Sequence, residues 1–217
     1  MVELFADPAA GGDSAEAAGS AEAAGVPVVH VTPRVLERLA ATVTPRGPVA
    51  VCARLDVPLE RVDPGAGPVV VLVEIRDPGN LGAVIRSADA AGAAGVVVAG
   101  PSVDPYNEKV VRASAGSLFH VPVAVAREVS VAAAALRERG CTLLAAAADG
   151  ATSVYDVDAR GRVAVFFGNE ARGLSPEVRA LMDASMRVPM AGGAESLNLA
   201  AAAAVVLFEL ARRRVSG

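Results

Sequence analysis

Tryptophan is absent from this chain, and lysine nearly so: Lys109 stands alone beside nineteen arginines. Aromatic residues make up 3% of the sequence, too few for a protein that stacks long runs of single-stranded bases. Two cysteines, Cys52 and Cys141, and two histidines, His30 and His120, lie far apart, without the spacing of a metal site. A structural zinc is thereby excluded, and no metal is expected. The cysteines read as small buried hydrophobes and not as a disulfide. The N-terminus has no basic region followed by an apolar stretch, so it is no signal peptide. The longest apolar run, residues 199–208, is far shorter than the ~20 residues a bilayer requires. A soluble cytoplasmic protein is expected, with no membrane association. Basic residues number 20 against 24 acidic ones, a net charge of −4, which argues against a globally basic nucleic-acid binder.

What is present is apolar and regular. The 217 residues are 53% hydrophobic, ample for a buried core. Residues 1–66 read as a short α/β segment: strands near 2–5, 26–31 and 49–52, and a helix opened by Thr32 as N-cap with Pro33 at its first position. The Pro/Gly-rich stretch 63–68 reads as a linker, which places a domain boundary between residues 66 and 67. From residue 69 onward, apolar β-branched runs at 69–75, 95–99, 118–125, 141–147, 162–167 and 186–188 alternate with helical stretches at 81–91, 107–117, 129–139, 175–182 and 196–214. Such alternation predicts an α/β domain with a mostly parallel sheet buried on both faces.

Ligands of open α/β sheets gather beyond the carboxyl ends of the strands. Three loops there carry unusual residues. The first runs from Arg76 to Arg86: Asp77, Pro78 and Gly79 make the turn, Asn80 is placed to cap a helix starting at Leu81, and Arg86 follows about one and a half turns in. It lacks the full G-x-G-x-x-G of a dinucleotide site. The second is Gly168-Asn169-Glu170-Ala171-Arg172-Gly173-Leu174, with charges that a plain turn does not need and glycines that let the backbone approach a ligand. The third, from Val188 through Pro189, Met190 and Gly192-Gly193 to Ser196-Leu197-Asn198, enters the last helix. Each loop taken alone is explained by helix capping.

Together, in this order and spacing, they resemble the signature of the SpoU (TrmH) family of RNA ribose 2′-O-methyltransferases, within the SPOUT class. That signature is an Asn-x-Gly-x-x-x-Arg turn, a Gly-Asn-Glu-x-x-Gly-Leu loop and a Pro-Met-x-Gly…Ser-Leu-Asn segment, matched here by residues 80–86, 168–174 and 189–198. The resemblance covers roughly residues 69–210. It implies a knotted (trefoil) methyltransferase domain over residues 67–217, with S-adenosylmethionine held largely by backbone groups of Gly168, Val188 and Leu197. It implies methyl transfer to a ribose 2′-hydroxyl with Arg86 as the central catalytic residue. Asn80 would position Arg86, Glu170 would orient the network, and Ser196 and Asn198 would complete the hydroxyl pocket. It also implies a homodimer, in which Arg86 can act across the subunit boundary. A guanidinium is a poor base, so Arg86 suits stabilising a developing alkoxide or binding the adjacent phosphate. The chain departs from many relatives at Asp77, Ala171 and Ala200, none of them a proposed catalytic side chain.

Residues 1–66 resemble the later part of the ribosomal-protein-like RNA-binding domain of rRNA-directed members, most clearly at residues 42–51, and the resemblance implies that the beginning of that domain is missing. Arg34, Arg38, Arg46 and Arg54 are candidate phosphate contacts there, although scattered arginines are commonly just solvated. The expected activity is RNA 2′-O-methylation with large-subunit rRNA as the favoured substrate. The alternatives are a tRNA-directed enzyme, a catalytically idle RNA-binding module and, most remotely, a nicotinamide dehydrogenase. For an RNA enzyme of net charge −4, positive charge must be local, around Arg86 and the N-terminal arginines.

Overall fold

The computed structural model describes residues 1–40 and 47–215. The chain divides into two compact units, Met1–Arg54 and Leu55–Gly217.

In the first unit, β1 (Glu3–Ala6), α1 (Asp13–Ala23), β2 (Val28–His30), α2 (Pro33–Leu39) and β3 (Val49–Val51) form a small sheet of order β2-β1-β3. β1 runs parallel to β2 and antiparallel to β3. Its core is slight: Leu4 and Ala6 point inward with Ala21 and Leu36. Pro33 occupies the first helical position, where its missing N–H costs nothing, but the Thr32 side chain makes no cap bond. Arg34 and Arg38, one turn apart on α2, are exposed, as is Arg54. Arg46 lies outside the described residues, as does half of the 42–51 segment.

The second unit is built on seven strands: β4 (Val69–Val73), β5 (Gly95–Ala99), β6 (Val123–Ala126), β7 (Thr142–Ala146), β8 (Thr152–Ser153), β9 (Val163–Phe167) and β10 (Ala184–Arg187). Helices α3 (Pro78–Ala90), α4 (Glu108–Ala113), α5 (Val129–Glu138), α6 (Pro176–Arg179) and α7 (Leu199–Val215) connect or follow them. The sheet order is β6-β5-β4-β9-β7-β10-β8, and every pairing is parallel. The period-2 alternation of β4 sorts its side chains between two cores. Val70 and Leu72 join Val84 and Ile85 of α3 and Val206 and Leu207 of α7, while Val69, Val71 and Val73 face Ala132 and Leu136 of α5. A strand buried on both faces has to be apolar at every position, which is why β4, β5 and β9 read as unbroken hydrophobic runs.

The units divide at Arg54, twelve residues before the boundary that the sequence places in the Pro/Gly stretch. Residues 55–66 belong to the second unit for a packing reason. The Val57 N–H donates to the Val123 carbonyl at 2.8 Å, and Val62 is fully buried in the α5-side core. The 63–68 stretch is a turn within that unit, tightened by Asp63, whose carboxylate accepts from the Gly65 N–H at 2.9 Å. Other differences are local. The strand expected over 118–125 is confined to Val123–Ala126, because Ser117–Phe119 form a 3₁₀ turn and Pro122 has no N–H. The expected helix 107–117 stops at Ala113, before left-handed Ala115 (φ 48°) and Gly116 (φ 94°). The last helix starts at Leu199, not at residue 196. Both cysteines are free; Cys141 is buried as expected, but Cys52 is exposed, at the end of a strand too short to cover it.

Candidate functional site

The loops after β4, β7, β9 and β10 all leave the carboxyl edge of the large sheet, and β9 lies between β4 and β7. The topology therefore brings together segments that are far apart in sequence. After β4 the backbone turns at Glu74, a non-glycine residue with φ 56°, a conformation kept only where its surroundings hold it. One such restraint is the Asn169 side-chain amide, which donates to the Glu74 carbonyl at 2.9 Å. The Asn169 carbonyl oxygen also accepts from the N–H groups of Ala171 and Arg172, at 3.0 and 3.3 Å, and so shapes the 168–174 loop.

The cap of α3 is Asp77, not Asn80. Its carboxylate accepts from the Asn80 N–H at 2.9 Å, with Pro78 at the first helical position. This frees the Asn80 side chain for tertiary contacts. Its Nδ2 donates to Glu170 Oε1 at 3.1 Å, and its Oδ1 accepts from Asn198 Nδ2 at 2.9 Å. Asn198 in turn caps α7, its Oδ1 accepting from the N–H groups of Ala200 and Ala201 at 2.9 and 3.3 Å. One residue from each of the three loops is thus joined in a single chain of bonds. Chemistry fixes its direction from both ends. Helix N–H groups only donate, so Asn198 must turn its oxygen to them and its NH₂ to Asn80. An ionised carboxylate only accepts, so Asn80 must give its NH₂ to Glu170. Glu170 also accepts from the N–H groups of Asp77 and Arg76, at 3.2 and 3.4 Å. Partial removal of water raises the Glu170 carboxyl, but the bonds from its own N–H, Asn80, Asp77 and Arg76 outweigh this and hold it below the ordinary range.

Beside this chain lies a cavity of ≈ 380 Å³, within the range of small-molecule sites. Gly168, Glu170, Val188, Ser196 and Leu197 line it. Its wall is largely apolar, with Phe167, Met186 and Val206 among the contributors. Gly168 is required here: a Cβ would fall 2.2 Å from the Gly173 carbonyl carbon and 2.3 Å from the Leu174 nitrogen, so the loop backbone folds directly over it. On the rim, Arg179 holds Asp149 with two bonds of 2.9 and 2.8 Å, and this guanidinium keeps the Asp149 carboxyl below its usual range. Sequence reading missed Asp77, Asn169 and the Ala146–Asp149 side of the cavity. The available signal was position alone: the loop after β7 leaves the same sheet edge as the three that were singled out.

Arg86 stands apart. It does not line the cavity, it is exposed, and it has no hydrogen-bond or ion-pair partner among the described residues. Six residues after Asn80, it points about 120° away around α3, so Asn80 does not position it. Asn198 differs from expectation as well, since both ends of its amide are engaged within the protein. Among the described residues no group of three or more His, Cys, Asp or Glu side chains converges, and no helix is long and apolar enough to cross a membrane.

The model of the SpoU rRNA methylase family matches residues 67–208. The chain belongs to the SpoU rRNA methylase family. The crystal structure of the SpoU methyltransferase AviRb from Streptomyces viridochromogenes superposes with a TM-score of 0.90 at 32% identity, covering 100% of this chain and 83% of that one. The AdoMet-bound rRNA methyltransferase from Sinorhizobium meliloti gives a TM-score of 0.86 at 34% identity, covering 99% of this chain and 80% of that one. In sequence, a 23S rRNA (uridine(2479)-2′-O)-methyltransferase from Streptomyces viridochromogenes is 44% identical over 145 residues, 64% of this chain. A 23S rRNA (guanosine-2′-O-)-methyltransferase from Xanthomonas axonopodis pv. citri is 37% identical over 156 residues, 71% of this chain. The chain spans 50% of the length of the first and 63% of the second.

Proposed function

We propose that this SpoU methylase transfers a methyl group from S-adenosylmethionine to a ribose 2′-hydroxyl of RNA in the cytoplasm, with 23S rRNA as the favoured substrate. The observation that carries the reading is the convergence of Asn80, Glu170 and Asn198 beside an apolar cavity floored by Gly168. The cavity fits the cofactor: its volume suits a nucleoside-sized ligand, and at Gly168 only backbone is at hand to meet it. Gly168, Val188 and Leu197 would hold it, and it would supply an electrophilic methyl group on a good leaving group. AdoMet-bound relatives of similar fold support this assignment.

The residues then divide into two tasks. Glu170, Asn80 and Asn198 brace the loops after β4, β9 and β10 against one another, so that the cavity keeps its shape. Ser196, on the cavity wall and without a hydrogen-bond partner among the described residues, is available to the incoming hydroxyl. Arg86 would stabilise the oxygen as negative charge develops on it. Its absence from the cavity of its own chain supports a homodimer in which it serves the partner's cavity. Ala201 and Phe208, two turns apart on one face of α7, are left exposed and supply an apolar strip for such a pairing. The trefoil knot belongs to the same reading: the loops after β9 and β10 line one cavity together with Leu199, Ala202 and Val206 of α7. Residues 1–66 are proposed as the RNA-binding part, with Arg34, Arg38, Arg46 and Arg54 as phosphate contacts.

Incubation with tritiated S-adenosylmethionine and separate 23S rRNA and tRNA pools tests the reading. Label in rRNA at a 2′-O-methyl nucleotide supports it; label in tRNA alone overturns the substrate, and no label in either overturns the activity.

A further inference from the structure

Helices α3 and α4 cross closely at Gly82, where a Cβ would lie 2.6 Å from the Ala113 Cβ and from the Val110 carbonyl oxygen. Gly82, Arg86 and Asp89 fall within about 60° of one another around α3. At the far end of that strip, Asp89 Oδ2 meets His120 Nδ1 at 3.1 Å. Arg86, exposed on α3, therefore lies along the helix between two fixed points, the contact with α4 and the contact with the turn that carries His120. That turn is firmly built. The Ser114 Oγ donates to the Val111 carbonyl at 2.8 Å, the Ser117 N–H to Ser114 at 3.0 Å, and the Phe119 N–H to Gly116 at 2.9 Å. Ala115 is held left-handed at φ 48°, and Leu118 anchors the turn in the core at 4% exposure.

The same turn drives its next side chain outward: Phe119 is 57% exposed. A single exposed apolar residue is ordinary on a protein surface. This one differs in its setting. It sits on a hydrogen-bonded turn with a left-handed non-glycine residue, one position before the His120 that meets Asp89 of α3, and after the helix that carries the chain's only lysine. Lys109 and Arg112, one turn apart on α4, are both exposed. A flat apolar face among exposed cations is what single-stranded nucleic acid needs: a surface on which a base stacks and charges that take its phosphates.

We propose that Phe119 is a stacking platform for a nucleobase of the RNA substrate, next to the ribose presented to Arg86, with Lys109 and Arg112 holding the flanking phosphates. Phe119 is then a positioning residue for RNA and has no part in cofactor binding. The proposal rests on the methyltransferase reading, but its test separates the two. In the full chain, with a 23S rRNA transcript and tritiated S-adenosylmethionine, Phe119→Ala and Phe119→Leu raise KM for RNA by about 5- to 100-fold, while Phe119→Tyr stays near wild type. Cofactor affinity is the same in all four proteins. Because the chain has no tryptophan, Phe119→Trp adds a sole reporter, whose emission is quenched when RNA stacks on it. Tyr155→Trp, at a position 53% exposed elsewhere on this unit, is the unquenched control. Unchanged KM in Phe119→Ala, equal quenching at both reporter positions, or a Phe119→Ala protein that keeps its RNA affinity but sediments as a smaller species would each overturn the proposal. If the wild type transfers no methyl group yet Phe119→Trp is selectively quenched by the transcript, the platform stands and the catalytic reading fails.

Discussion

The two ends of the large sheet offer an instructive contrast. At the amino end, where Arg160, Arg212 and Arg213 line a groove of ≈ 1010 Å³, there is more space and more arginine than at the carboxyl end. Yet these arginines are occupied in holding the fold. Arg212 and Arg213 bond to Glu209 at 2.8 and 2.7 Å, Arg213 reaches the carbonyls of Val157 and Tyr155, and Arg160 pairs with Asp158. Arg212 and Arg213 also lie at the C-terminus of α7, where cations offset the helix dipole. The carboxyl end has a smaller cavity and fewer arginines, but its polar groups are mutually oriented and its backbone comes within reach of a ligand at Gly168. Size and charge do not mark which end is the site; the direction of the hydrogen bonds does.

Substitutions can break this contrast, and the largest effect is expected from Arg86→Ala. Turnover falls by about a hundredfold or more while cofactor affinity, read by calorimetry, stays level. Arg213→Ala at the other end lowers stability and leaves turnover per folded molecule unchanged. Equal loss of turnover and cofactor binding in Arg86→Ala would remove it from the reaction. Gly168→Ala comes next: its Cβ meets backbone, so the loop must shift, at about 1–3 kcal/mol of stability and with loss of cofactor binding. Wild-type affinity in a correctly folded Gly168→Ala protein would show that the cavity lies elsewhere. Asn80→Asp places a second carboxylate against Glu170, and denaturant unfolding should register about 1–3 kcal/mol, with turnover reduced in parallel.

Asn198→Asp is a finer probe, because aspartate still caps α7 but cannot donate to Asn80. It should cost about 1 kcal/mol and lower activity, whereas a loss confined to α7 stability would reduce Asn198 to a simple cap. The smallest effect belongs to the amino end. Glu209 is held at about 2 by hydrogen bonds from Arg212 and Arg213. A carboxyl depressed on folding stabilises the protein fully above its unfolded value of about 4.5, and that stability fades as the pH falls toward about 2. Glu209→Gln should therefore differ from wild type by about 1 kcal/mol at neutral pH, and the thermal-denaturation gap should narrow as the pH drops through that window. A gap that does not change with pH would show that the ion pairs are not its source.

Where the sequence was legible, burial had left a strong pattern. β4, β5 and β9 announce themselves because a strand covered on both faces has no polar position, and the three loops stood out because their order and spacing together match one signature. The misreadings have a common origin in local ambiguity. Asp77 and Asn80 are both good capping residues, and only the tertiary bonds to Glu170 and Asn198 decide which of them caps. Two-residue β8 has no periodicity to detect. The 63–68 turn has a linker's composition, and only Val57 and Val62, by packing into the second unit, show that the boundary lies earlier. The turn bearing Phe119 was hidden inside an apolar run, since a 3₁₀ turn anchored by Leu118 and a strand edge draw on the same residue types.

Asn80 and Asn198 are 118 positions apart in the chain, yet each supplies half of one hydrogen bond. The braced site therefore cannot exist in any fragment or folding intermediate whose final helix is not yet seated, however well formed the central strands are. Its assembly waits on a contact between distant parts of the chain, a slow kind to make. A second unit that has acquired this site has, by that fact, seated its last helix.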